Sequence, residues 1–405
     1  MLYSQPIILD NGTGTIRCGL SSDDVPRIHY SNLIGRAKHN KFQCLPPGDI
    51  QPNDTLVGDE AQRRRGLLKL TMPMEHGEVV DWNALECVWQ QVLTRDLPAA
   101  TSGRRFTGSE GKERAVDVDV DDDDGGAFVM REHAVLVSEQ PFCSRRQREK
   151  MCELLFEGIG VGGVSFGIPA VLSLFATGRV TGVSVDIGDG VCCIASVYDG
   201  FAIKNGGVQK ILVGGRDVTK WMQRECWKNG YALNSSGEFE IVRSMKERIG
   251  YVNVEKVDVQ KYATGYEWDT FVLPDGKSVR MPKNSLGRPG EVLFQPQSFG
   301  YEAQSIQEAV HTAVMRCDVD LRAKLFDTIV LSGGATMARG FGSRLMSELR
   351  ALDDEVKLKM FASAERRNNC FIGASVLSSL STFEKVVVSR SEYSENNGCV
   401  HDAYF

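Results

Sequence analysis

Apolar and polar positions fall into recurring blocks along this chain, and the blocks predict its elements. "IILDNGTGTIRCGL", Ile7 to Leu20, is an apolar run, a carboxylate, a glycine-rich turn and a second apolar run. Asn11-Gly12 is a strong turn dipeptide between β-forming flanks, so two antiparallel strands are predicted. "SVDIGDGVCCIASVYDGFAI", Ser184 to Ile203, repeats the pattern as strand, Asp186, Gly188, Gly190 and strand. "IVLSGGATMARGFGSRL", Ile329 to Leu345, predicts a strand, a turn at Gly333-Gly334 and a helix. "EFEIVRSMKERIGYV", Glu238 to Val252, predicts an amphipathic helix with Ile241, Val242, Met245 and Ile249 on one face and Lys246 and Glu247 off it.

Each block has a structural reading on its own terms: a tight hairpin, a routine strand-to-helix turn, a helix with solvent charges. The duplicated D-x-G-x-G, however, points to two similar domains. Asp10 ends a strand expected to be buried, where an uncompensated charge is costly, and a hydrated metal ion is a natural partner. Glycines let a backbone approach an anion closely, so Gly12, Gly14, Gly188 and Gly190 suit a polyphosphate. Thr13 adds a hydroxyl and Arg17 a fixed cation near the phosphates. Magnesium keeps most of its waters and takes few carboxylates, so Asp10, Asp186 and Asp189 acting through water fit it. No G-x-x-x-x-G-K-[ST] loop occurs in the chain. Gly333 and Gly334 would let a nucleoside lie against the backbone.

Bulk properties narrow the classes further. The 405 residues predict roughly two or three domains, and 42% hydrophobic with 25% charged content is ordinary for a globular protein. A net charge of -6 argues against nucleic acid as a direct partner, because no basic excess exists to release counterions. No run of 18 apolar residues appears, so no membrane span is expected. Eleven cysteines without a CxxC pair, and six unclustered histidines, read as reduced thiols of a cytosolic or nuclear chain. Residues 101–126, basic and then strongly acidic, are expected to be a disordered surface insertion. Asp121, Asp123, Gly126 and Glu132 fall at calcium-loop positions, but Gly125 interrupts the set and a solvated acidic loop is the expectation.

The order of these blocks resembles the actin family, within the wider class that includes chaperone ATPases and sugar kinases. The segments "LVGDEAQRRRGLL", "MPMEHGEVVDW", "AVLSLFATGRVTGVSVDIGDGV", "GGRDVT", "LFQPQSFGYE", "CDVDLRAKLFDTIVLSGGATM" and "IGASVLSSLSTF" carry the likeness beyond the hairpins. It spans the whole chain apart from residues 101–126 and a reworked stretch near 255–290. The resemblance implies an α/β actin-like ATPase fold, with two duplicated RNase H-like domains around a nucleotide cleft and four subdomains. One large lobe would be 1–31, 70–176 and 369–405, and the other 177–212 and 303–368. The small subdomains would be 32–69 and 213–302, with crossings near Ala176 and Asn369.

For the site, the resemblance implies ATP or ADP with Mg2+. Gly12, Thr13, Gly14 and Arg17 match the first phosphate loop; Asp186, Gly188, Asp189 and Gly190 match the second. Gly215 matches the small residue near the ribose, and Arg243, Lys246 and Glu247 belong to the adenosine-contacting helix. Gly334, Thr336 and Met337 match the adenosine loop, and Arg367 stands where the family usually has lysine. Two departures concern catalysis. Pro169 occupies the place of the glutamine that orients the attacking water, and Cys193 that of a histidine that helps activate it. Neither is a competent replacement, so hydrolysis is expected to be slow.

Within the family, "QPIILDNG", "LFATGRVTGV", "SSGEFEIV" and "LFDTIVLSGGATMARGFGSRLMSEL" are similar to the centractin branch. That branch implies short filaments built by self-assembly, dynactin subunits and dynein as partners, and a cytoplasmic, cytoskeletal location. A divergent conventional actin and a nuclear remodeller subunit are the alternatives. Filament contacts would use the loop Asn40 to Glu60, stiffened by three prolines, and a plug at Leu293 to Glu302. Leu293, Phe294 and Phe299 could equally fill the core of their own domain.

Overall fold

The alternation at the start of the chain becomes a three-stranded meander: β1 (Ser4–Asn11), β2 (Thr15–Leu20) and β3 (Ile28–Ser31), each antiparallel to the next. The computed structural model describes residues 3–37, 54–102, 128–257, 267–354 and 356–401. The acidic tract and most of the proline-bearing loop lie outside these. The chain divides into two units, Met1–Gly178 with Asn368–Phe405, and Arg179–Arg367.

In the first unit, β4 (His133–Ser138) and β5 (Gly163–Gly167) extend the meander in parallel beyond β1, and Val388–Ser389 closes the edge, giving a six-stranded sheet. β4 and β5 are buried along their whole length, as parallel strands covered on both faces require. The helix Trp82–Gln90 packs Trp89 and Val88 into the core and starts at Asp81, whose carboxylate accepts the Ala84 N–H at 3.0 Å. After β5 the chain enters α1 (Pro169–Phe175), which crosses the helix Asn369–Ser378. A Cβ added to Gly373 would sit 1.7 Å from the Leu172 carbonyl oxygen, so the crossing is closer than any side chain permits. A separate three-stranded sheet joins Thr55–Val57, Ile34–Ala37 and Leu68–Thr71.

The second unit repeats the opening plan. β6 (Gly182–Ile187) and β7 (Cys192–Tyr198) form an antiparallel hairpin. They are followed by α2 (Gly215–Lys228), α3 (Ser236–Ile249), β8 (Ile329–Ser332) and α4 (Phe341–Leu352). β8 lies parallel beside β6, as β4 lies beside β1. α3 begins with a reciprocal cap: Glu238 N–H donates to Ser235 Oγ at 3.2 Å, and Ser235 N–H to Glu238 Oε2 at 2.7 Å. Val242 and Met245 of its expected apolar face are buried with Met222, Cys226 and Phe271. The unit's core also encloses an ion pair, Arg344 to Glu291, bidentate at 2.8 and 2.9 Å, with the Asn253 carbonyl accepting from the same guanidinium at 2.9 Å.

Of the two readings left open for Leu293 to Glu302, the structure favours the core. Leu293, Phe294 and Phe299 are 4%, 1% and 8% exposed and pack with Ile306, Val310 and Phe341. They fill the core of their own unit, because the chain folds back there through two short helical turns, Glu291–Phe294 and Pro296–Phe299.

Candidate nucleotide site

The two hairpins match position by position. Asp10 stands across from Arg17, and Asp186 across from Cys193, at the same place relative to each turn. On the parallel neighbour, β4 ends in Ser138 and β8 brings Ser332 opposite Asp186. Duplication therefore extends to three strands and to an aspartate and a serine on neighbouring parallel strands, but not to Arg17 and Cys193.

In the first hairpin, Arg17 Nη1 donates to Asp10 Oδ2 at 2.8 Å and Ser138 Oγ donates to Asp10 Oδ1 at 2.8 Å. Asn11 N–H donates to the same hydroxyl oxygen at 2.9 Å. The Asp10 charge is thus compensated within its own unit, and Arg17 Nη1 is engaged with that carboxylate. Arg17 Nε is nevertheless buried with no partner among the described residues, and so remains a donor in search of an acceptor. The turn is held by Asn32, whose N–H reaches the Gly14 carbonyl at 3.1 Å and whose Nδ2 reaches the Gly12 carbonyl at 2.9 Å. Thr13 Oγ1 accepts the Gly77 N–H at 3.1 Å.

In the second hairpin the turn plugs the start of α2. Gly215 N–H donates to the Gly188 carbonyl at 3.0 Å and Arg216 N–H to the Asp189 carbonyl at 2.7 Å. Two of the donors a helix N-terminus leaves open are thereby satisfied. A Cβ on Gly214 would meet the Asp189 carbonyl oxygen at 2.6 Å, so only glycine lets the turn dock. Lys246 Nζ, from α3, donates to the Gly215 carbonyl at 2.9 Å, and burial lowers its pKa from the ordinary lysine value. Gly188, Asp189, Gly215 and Lys246 thus form one constellation. Asp189 is paired with Arg216 Nε at 2.9 Å. Arg243 and Glu247 share Lys246's stretch of α3 and pair with each other at 3.4 Å.

The third glycine cluster joins at the same point. Gly333 has φ +86°, and a Cβ there would lie 2.3 Å from the Ile187 carbonyl oxygen at the end of β6. The following 3-10 turn, Gly334–Met337, keeps Thr336 buried, its hydroxyl donating to the Gly333 carbonyl at 2.8 Å, while Met337 is exposed. Among the described residues, nothing lies within 4 Å of a Cβ built on Gly334. Arg366 is bonded to this loop: its Nε and Nη2 donate to Thr336 Oγ1 at 3.3 Å and the Thr336 carbonyl at 3.2 Å. Arg367 is exposed on the adjoining turn.

Ser138, Asn32, Arg216 and Arg366 escaped the sequence reading. Arg216 and Arg366 each sit next to a residue that was singled out, which is the one local signal. Ser138 ends an unremarked apolar strand and carries none. Pro169 is buried as the first residue of α1, a position that proline's fixed φ suits. Cys193 is 1% exposed, and burial, reinforced by Asp186 and Cys192, raises its thiol pKa well above the ordinary range. It stays protonated and is no base. Among the described residues, no group of three or more His, Cys, Asp or Glu side chains is arranged to ligate a metal directly.

Comparison with known proteins agrees with this duplicated plan. The sequence profile of the family named Actin matches residues 1–403. An actin-like protein of Neurospora crassa is 36% identical over 410 aligned residues, covering 100% of this chain and 99% of that protein. Centractin of Schizosaccharomyces pombe is 35% identical over 400, covering 98% of this chain and 97% of its own. With matches of that extent and the duplicated aspartate hairpins in place, the chain belongs to the actin family.

Proposed function

We propose that the chain is an ATP- and ADP-binding, magnesium-dependent actin-related protein that self-assembles into short filaments. In this reading it is the centractin-like filament of a dynactin complex in the cytoplasm, supporting dynein-based transport. The observation that carries the nucleotide part is the donor set. Among the described residues, Arg17 Nε is buried without an acceptor, and Lys246 offers an ammonium with a carbonyl contact at 2.9 Å and two further protons. Both suit an anion, and the open space at Gly334 suits a flat ring against the backbone. The full-length likeness to centractin supports the filament part.

Gly12, Thr13, Gly14 and Arg17 would serve the phosphates from the first hairpin, and Gly188, Asp189 and Gly190 from the second. Gly215, Arg243, Lys246, Glu247, Gly334, Thr336, Met337 and Arg367 would serve the nucleoside. Asp10, Asp186 and Asp189 would hold magnesium through water, and the ion would neutralise phosphate charge. Hydrolysis is slow in this reading: Pro169 offers no side-chain polar group and the Cys193 thiol keeps its proton. The four-subdomain division given above is part of the proposal.

Calorimetric titration of MgATP into wild type and Lys246→Met tests the nucleotide part. Affinity should fall by about tenfold or more in the variant, as for loss of a charge-assisted contact; equal affinities would remove Lys246 from the site. Affinity purification with mass spectrometry tests the assembly. Dynactin subunits in the eluate support the reading, whereas myosins point to conventional actin and remodeller subunits to a nuclear role.

A further inference from the structure

We propose that Gln140 orients the attacking water in place of the side chain missing at Pro169, an inference that rests on the nucleotide reading above. Gln140 follows β4 directly, and its Oε1 is buried without a hydrogen-bond partner among the described residues. A buried, unsatisfied amide oxygen is costly and marks a place where water or a ligand group is to be accepted.

Its position in the strand says which. The parallel ladder with β5 runs one residue past β4, because Glu139 N–H donates to the Gly167 carbonyl at 3.0 Å. Along such an extended run, successive side chains point to opposite faces. Ser138 points to the first hairpin, where its hydroxyl reaches Asp10 at 2.8 Å. Glu139 points away, its carboxylate accepting from Arg148 Nε at 3.0 Å. Gln140 is therefore on the Ser138 side, one step further along. The neighbouring strand β5 ends at Gly167 and leads, through Ile168, into Pro169 at the start of α1. Gln140 and Pro169 stand at corresponding distances beyond the last paired residues, Ser138 and Gly167. A side-chain amide absent from one strand end is thus supplied by the adjacent one.

The amide would act as a positioning group and not as a base. Its oxygen accepts a hydrogen bond from water. That water's oxygen bonds the terminal phosphorus as the bond to the bridging oxygen breaks. The electron pair stays with the diphosphate, and the water's proton leaves on the phosphate product. An amide does not titrate, so the role survives burial, unlike that of the Cys193 thiol.

The test uses the full chain with magnesium. Wild type, Gln140→Ala and Gln140→Ala/Pro169→Gln are titrated with ATP, ADP and ADP plus aluminium fluoride, and phosphate release is followed in single turnover. Gln140→Ala should bind ATP and ADP within about twofold of wild type, yet bind the fluoride complex and release phosphate at least about tenfold less well. Pro169→Gln should restore both in that background. Failure of wild type to bind ATP would overturn the nucleotide reading itself. ATP binding with unchanged fluoride affinity and phosphate release in Gln140→Ala, or with no release by wild type, would overturn the role of Gln140 alone. A joint loss of ATP and ADP affinity and melting temperature in Gln140→Ala, without rescue, would mark a structural residue and count against it.

Discussion

Asp10, Arg17 and Ser138 form a buried charge cluster in which each polar group meets another at 2.8 Å. Removing one member of such a pair costs more than the pair contributes, since the survivor stays desolvated. Asp10→Ala should lower unfolding free energy by roughly 3–5 kcal/mol in nucleotide-free protein, read by urea denaturation. Adding Arg17→Met should recover much of that loss; no recovery would mean that Ser138 and Asn11 carry the effect. Lys246 makes the opposite case. Burial lowers its pKa from 10.5, so the unfolded chain keeps that proton to higher pH than the folded chain does. Stability from this group accordingly rises as pH climbs through the folded pKa toward 10.5, and its full penalty is present below that window. Lys246→Met should therefore melt higher than wild type at neutral pH without nucleotide. A bound phosphate would favour the ammonium, so ATP binding at alkaline pH should take up protons, measurable from the buffer dependence of the binding enthalpy.

At the scale of elements, docked turns hold the site together. Gly333 has a left-handed φ of +86° and no room for a Cβ beside Ile187. Gly333→Ala should push the turn Gly334–Met337 off β6, with a cost of at least about 1–3 kcal/mol from strain alone. In that variant, affinity for ATP should fall toward that for inorganic triphosphate, while triphosphate affinity holds; parallel loss of both would place the loop elsewhere. The hairpins themselves were legible in the sequence, because Asn11-Gly12 and the alternating flanks are local signals, and the echo at Asp186 is local too. So was α3, whose apolar stripe at Ile241, Val242 and Met245 follows helical spacing. The second partner of Asp10 was not legible. Ser138 is 128 residues away, delivered by a parallel strand whose apolar run carries no mark of its destination. Leu293, Phe294 and Phe299 were undecidable for a different reason, since one apolar pattern serves a core or an interface equally well. Arg366 carried no signal beyond lying next to Arg367, because the sequence does not fix which way a residue of a tight turn points.

On the scale of the whole molecule, assembly and turnover are separable. A head-to-tail contact between identical chains is heterologous and gives open filaments unless they are capped. In the proposed reading, with slow hydrolysis, filaments at micromolar concentration should be short, release little phosphate and exchange subunits slowly. Negative-stain microscopy beside a phosphate assay checks this, and treadmilling polymers with brisk release would contradict it. The acidic tract Arg104 to Gly126 lies outside the described residues. Its deletion should leave expression and ATP affinity unchanged. The crossing at Gly373 has a mechanical consequence. The covalent links between the two units leave the first one at Gly178 and Asn368, just beyond α1 and just before the helix Asn369–Ser378. Tension passing along the chain from one unit to the other therefore enters two helices whose backbones already touch at Leu172 and Gly373. With no side chain between them to give way, that junction should deform little under pull.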